Sequence, residues 1–152
     1  MGSDDKRKFE QRKAKTLSLK KSLNKSKLTV GSWITLAHPA IAEIMASAGF
    51  DWLVVDLEHS VITIREAEEL IRVIDLANSV PLVRLSSNDA TQIKRVMDAG
   101  ASGIIVPMVK TADDAIRAVE SIKYPIDGGR GVGLARAQGY GVFFQEYLEW
   151  QK

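Results

Sequence analysis

Four times in succession a short apolar run gives way to a stretch with apolar residues at helical spacing. The short runs are Gly31–Leu36 (GSWITL), Asp51–Leu57 (DWLVVDL), Pro81–Leu85 (PLVRL) and Gly103–Val109 (GIIVPMV). Each is aliphatic and too short for a buried helix, so each reads as a strand. The intervening stretches carry helix signals. Pro39 suits the first helical position, and Ile41, Ile44, Met45 and Ala48 recur on one face before Gly49. Thr63–Glu66 has the form of a capping box, ahead of Ile64, Ala67, Leu70, Ile71 and Ile74. Asp89 and Thr111 cap two further helices. Their expected buried faces hold Ile93, Val96 and Met97, then Ala115, Ile116, Val119 and Ile122. An amphipathic segment, Phe143–Trp150, follows a glycine-rich loop, Gly128–Gly141.

Regular alternation with short connections means parallel strands joined by right-handed helical crossovers. Ala48–Val55 is echoed at Ala99–Val106, as repeated βα units would be. Four units make either an open doubly wound sheet or half of an eight-fold barrel. The open sheet predicts a phosphate-binding glycine loop after the first strand, where this chain has Ala37-His38-Pro39. Polar groups instead cluster at successive strand ends: Asp56, Glu58 and His59 after the second, Arg84 to Asn88 after the third. That pattern favours the TIM (β/α)8 barrel, whose active sites lie at the C-terminal strand ends. Such barrels run to about 250 residues, so residues 17–152 read as an α/β half-barrel.

Charge separates the head of the chain from this domain. Residues 1–28 hold ten Lys/Arg against three Asp/Glu, a surplus of seven; with a net charge of +2, the remainder carries −5. Residues 1–16 read as a disordered basic tail, and Leu17–Asn24 as a short helix able to plug the base of a barrel. No aromatic-interleaved basic surface supports nucleic-acid binding. No apolar run nears the roughly 18 residues of a membrane span. Without cysteine, disulfides, zinc–thiolate sites and a thiol nucleophile are excluded. The expectation is a cytoplasmic protein with no membrane or nucleic-acid partner.

A strand buried on both faces that ends in carboxylates and an imidazole needs pairing or an open mouth, because desolvating those groups is costly. Each group has a plainer role beside the chemical one. His59 is a candidate general base or a loop residue. Arg84 is a substrate anchor or simply the ion-pair partner of Asp56. Asp98, near a helix C-terminus, is a functional acid or a solvated one. Glu58 touches metal-bound water or only solvent, and His38 lines the mouth or makes a turn. The glycine-rich loop lacks a phosphate-loop pattern and reads as mobile, over the site or at a subunit contact.

The segments GSWITLAHP, AGFDWLVVDLEHS, PLVRLSSND, QIKRVMDAG, GIIVPMV and YPIDGGRGVGLARAQGYG resemble the HpcH/HpaI aldolase family in content and order. The resemblance implies a TIM-barrel, metal-dependent pyruvate aldolase of the 2-keto-3-deoxy sugar acid or 4-hydroxy-2-oxo acid type. On it, the general base falls on His59 and the acid raising its basicity on Asp98. A further active-site acid falls on Asp56, the substrate-binding arginine on Arg84, and the RGVG motif on Arg130–Gly133. It implies a divalent ion, Mg2+ or Mn2+, a 2-oxo acid and an aldehyde as small-molecule partners, and a homo-oligomer. The family's ligating Glu and Asp follow the fifth and sixth strands, positions beyond Lys152. No metal ligand is therefore expected within the chain, and the chain alone is expected to lack metal-dependent retro-aldol activity. Two other readings stand beside this one. One is a Schiff-base aldolase using Lys110, which needs a desolvated lysine. The other is a non-catalytic half-barrel that assembles through its exposed sheet edge.

Overall fold

The structure, a computed structural model, describes residues 3–151. Among these, α1 (Ser3–Asn24) precedes β1 (Gly31–Ile34), α2 (Pro39–Ser47), β2 (Trp52–Asp56) and α3 (Ile64–Leu76). Then come β3 (Val80–Arg84), α4 (Ala90–Asp98), β4 (Gly103–Ile105), α5 (Ala112–Ile122) and α6 (Phe144–Gln151), with a single 3-10 turn at Arg136–Gln138. The strands form one parallel sheet in the order β1-β2-β3-β4. This is an α/β array of four successive units of the TIM-barrel type.

The caps form as the sequence indicates. Thr63 and Glu66 complete a capping box at α3, Thr111 and Asp114 another at α5, and Asp89 accepts from Gln92 N at α4 (2.7 Å). Helices cover one face of the sheet. There Ile34, Leu53, Val55 and Val83 pack with Leu70, Ile71 and Ile74 of α3 and Ile93 and Val96 of α4. Each such side chain, fully buried, contributes roughly 1.5–3 kcal/mol. The opposite, concave face carries the alternate residues: Trp33, Val54, Leu82 and Gly103 in one layer, Asp56, Arg84 and Ile105 in the next.

One expectation about burial fails in part. The apolar stripe of α5 meets the core only at Ile122: Ile116 and Val119 are each 53% exposed, and Ala118 is buried instead. On α2, Ile44 is 70% exposed, while Ala42 and Ala46 face the core. α2 and α5 are the outermost helices of the four-unit array.

Where disorder was expected over residues 1–16, the structure has a continuous helix; Met1 and Gly2 lie outside the described residues. The helix is polar, but a few side chains hold it. Phe9 stacks on Phe143 (centroids 4.8 Å apart), Arg12 donates to the Ala137 carbonyl, and Thr16 bonds Ser102 (2.9 Å). Ser102 precedes β4, so α1 lies across the N-terminal ends of the strands, the base that a plug would occupy. No helix among the described residues is long and apolar enough to cross a membrane.

Candidate active site

β2 and β3 end on Asp56 and Arg84, which are register partners on the concave face. Arg84 Nε donates to Asp56 Oδ1 (2.8 Å) and Nη2 to Oδ2 (2.6 Å), a bidentate pair with Asp56 almost fully buried. Asp56 Oδ1 also accepts the backbone N–H groups of Glu58 (3.0 Å) and His59 (3.3 Å). The Ser60 hydroxyl closes the turn on the Asp56 carbonyl (2.5 Å). The hydrogen bonds from Arg84 outweigh burial and hold the Asp56 carboxyl at a pKa of about 2. One carboxylate thus fixes both the arginine and the loop carrying the histidine.

Glu58 links the two candidate groups. One of its oxygens lies 3.4 Å from Arg84 Nε and the other 3.7 Å from His59 Nε2. His59 and Arg84 therefore face one opening, at the C-terminal ends of the strands. The His59 side chain is 70% exposed, and that of Arg84 is 23% exposed. Beneath Arg84, the Trp33 ring of β1 lies 4.4 Å from the guanidinium carbon. The guanidinium is held along one edge by Asp56 and on one face by Trp33, and Nη1 takes no part in the bidentate pair.

Asp98 is elsewhere. It ends α4, and the chain then enters β4 from below, so Asp98 lies at the N-terminal end of the sheet, opposite His59. The expected pairing of Asp98 with His59 is therefore absent within the chain. Asp98 accepts from Arg130 Nη2 (2.5 Å) instead. Arg130 is buried, donates to Tyr147 Oη (3.2 Å), and lies over the Tyr124 ring (4.5 Å).

A model of the HpcH/HpaI aldolase/citrate lyase family matches residues 29–145. The chain belongs to that family. A hydroxypyruvate/pyruvate aldolase of Roseobacter denitrificans is 40% identical over 126 residues, 82% of this chain and 49% of its own length. A 4-hydroxy-2-oxovalerate aldolase of Rhodococcus jostii is 42% identical over 127 residues, 83% of this chain and 49% of its own. A crystal structure of a HpcH/HpaI aldolase/citrate lyase family protein from Burkholderia cenocepacia superposes with a TM-score of 0.79 at 35% identity, covering 87% of this chain and 54% of that one. The chain spans about half the length of the curated relatives it matches.

In this HpcH/HpaI chain the remaining candidates have mostly structural roles. His38 caps α2, its Nδ1 accepting from Ala40 N (3.2 Å). Lys110 is exposed just before the cap of α5. The glycine-rich loop does not cover the mouth. Arg130 and Arg136, which bonds Asp75 (2.5 Å), tie it to the opposite end of the sheet. No group of three or more metal-ligating side chains occurs among the described residues. Asp56 is committed to Arg84, and Glu58 is shared between Arg84 and His59. The donors of this chain therefore do not form a divalent-metal site by themselves. Trp33 is the site residue least visible in the sequence. Its place on an alternating strand is a signal, but its face relative to Arg84 depends on a cross-strand register that spacing does not reveal.

Proposed function

We propose that the chain supplies the substrate-anchoring and proton-transfer groups of a pyruvate aldolase that cleaves a 4-hydroxy-2-oxo acid to pyruvate and an aldehyde. The observation that carries this reading is the Arg84 guanidinium, clamped by Asp56 and Trp33 with one edge free, opening on the same mouth as His59. A planar cation held this way suits the carboxylate and oxo oxygens of a 2-oxo acid. In the cleavage direction, the His59 imidazole takes the proton from the C4 hydroxyl as the C3–C4 bond breaks. The hydroxyl carbon leaves as the aldehyde. The bonding electrons remain on the three-carbon fragment as an enolate, whose charge Arg84 stabilises. Protonation at C3 then gives pyruvate.

The Mg2+ or Mn2+ implied by the family needs carboxylates besides those brought together among the described residues. Asp98 serves a histidine only across a contact with another copy. Nothing favours Schiff-base chemistry at the exposed Lys110.

Pyruvate titration followed by amide NMR tests the reading. Resonances of Arg84 and Asp56–His59 are expected to shift, that of Lys110 to stay, and Arg84→Met to abolish the shifts. Unshifted Arg84 and His59 signals at saturating pyruvate would reject it.

A further inference from the structure

Positive charge at the base of the sheet outruns its counter-charge. α1 crosses there, and the Arg12 side chain is only 9% exposed. Its Nη2 donates to the Ala137 carbonyl, its Nη1 stays 3.9 Å from Asp75, and its Nε meets no acceptor. One turn later, Lys15 is half-buried and forms no ion pair among the described residues. Asp75 is the carboxylate that acts on both cations, and Arg136 already holds it, with Nη2 at 2.5 Å. Two guanidinium groups and an ammonium thus share one carboxylate. Cations drawn out of water are costly unless they are paired. Burial accordingly pushes the pKa values of Arg12 and Lys15 below their ordinary ones.

Arg12 and Lys15 line a cavity of about 210 Å3 between α1 and the turn from α3 into β3. Asn78 of that turn and Ser102 before β4 add neutral polar groups to its wall. The exposed Arg7 and Lys8 also line it, each paired with Asp4 (2.6 and 2.7 Å), and Asp75 is its acidic residue. The walls belong to the interior of the array. β3 runs between β2 and β4, and α1 packs against β3.

We infer that this cavity binds a phosphate group, as inorganic phosphate or a small phosphate monoester. The charge fits, because two unmatched cations balance a dianion. The donors fit, because a guanidinium fork and an ammonium both suit phosphate oxygens, with an amide and a hydroxyl beside them. The size fits as well. Pockets for drug-sized ligands begin at about 300 Å3, so this one admits a phosphate group and excludes a nucleotide. A simple carboxylate brings one charge and leaves a cation unmatched. The site lies at the end of the strands opposite Asp56 and Arg84, and the inference does not rest on the aldolase reading. Bound phosphate ties α1 to the α3–β3 turn, so its binding free energy adds to the docking of the helix.

Calorimetric titration of the wild-type chain tests the site, at low salt because chloride screens these charges. Inorganic phosphate and glycerol 3-phosphate are titrated separately. One-to-one binding of either supports the proposal, and the tighter of the two identifies the source. Lys15→Gln should weaken that binding about tenfold, the loss of one charge-assisted hydrogen bond, with unchanged circular dichroism. Lys21→Gln, exposed on the same helix and outside the cavity wall, should leave it unchanged. In a phosphate titration followed by amide NMR, Asn78, Ser79 and Ser102 are expected to shift. Shifts confined to Arg84 and Asp56–His59 would put the anion in the mouth and overturn the proposal. So would an absence of binding at about ten millimolar phosphate, or equal losses in the two lysine variants. Binding of a short DNA duplex without binding of either small phosphate also rejects it, since that is diffuse attraction to a basic helix.

Discussion

Asp56 and Arg84 end neighbouring parallel strands and meet through two hydrogen bonds of 2.8 and 2.6 Å, with the carboxylate buried and the guanidinium reaching the mouth. The pair converts strand register into site geometry, because a one-residue slip of β3 would carry Arg84 to the helix-covered face. Removing Asp56 strips Arg84 of its bidentate partner and two backbone N–H groups of their acceptor. Asp56→Asn should therefore be less stable than the wild type in urea denaturation. It should also loosen the Glu58–His59 turn, since that turn depends on the same carboxylate. Asp56→Asn combined with Arg84→Met should recover part of the loss, because no unpaired charge is then left behind.

Acid stability follows from the same carboxylate. Its folded pKa, about 2, lies below the ordinary value of 3.8, so between those values the unfolded chain binds more protons than the folded one. The contribution of Asp56 is complete above about pH 4 and disappears as pH falls through about 2. Denaturation measured between pH 2 and 5 should show a steeper loss of stability in the wild type than in Asp56→Asn. Parallel curves would show that Arg84 does not hold the carboxylate in solution.

Trp33 acts on Arg84 through a ring face 4.4 Å from the guanidinium carbon. A cation–π contact that is partly open to solvent contributes about 0.5–1 kcal/mol. Trp33→Leu should therefore change stability little. Its effect should fall on pyruvate affinity, which is expected to drop several-fold as the guanidinium gains freedom. Trp33→Phe should restore part of the affinity by returning an aromatic face. An affinity unchanged in Trp33→Leu would mean that Asp56 alone positions Arg84.

Local signals carried most of this architecture. The capping residues Thr63, Asp89 and Thr111 and the short aliphatic runs are written in adjacent positions, so the βα order and the strand-end location of Asp56, Glu58, His59 and Arg84 were legible in the sequence. What could not be read depends on distant residues. The resemblance pairs Asp98 with His59, but the chain enters β4 directly after α4 and leaves Asp98 beside Arg130, thirty-two positions later. Periodicity makes the apolar stripe of α5 look buried, but it reports which face is apolar, not whether anything covers it. Composition alone makes the glycine-rich loop look mobile, whereas its buried Arg130 and Gln138 anchor it.

The N-terminal helix is the clearest case of a few contacts overriding composition. Residues 3–24 are dominated by charged and polar side chains, and a helix of that kind has little stability of its own. Phe9 is its main anchor, stacked on Phe143 and set edge-on to Trp150, with Arg12 lying over both the Phe9 and Trp150 rings. Deleting a buried aromatic ring costs about 3–5 kcal/mol. The β2–β3 core shares no side chain with this aromatic cluster. Phe9→Ala should therefore release α1 from the base of the sheet without unfolding the strands. Trypsin should then cut at Lys13, Lys15, Lys20 or Lys21 at least tenfold faster than in the wild type, while amide protection in β2 and β3 stays unchanged. If protection in those strands falls along with α1, the helix is an integral part of the folding unit and not a docked plug.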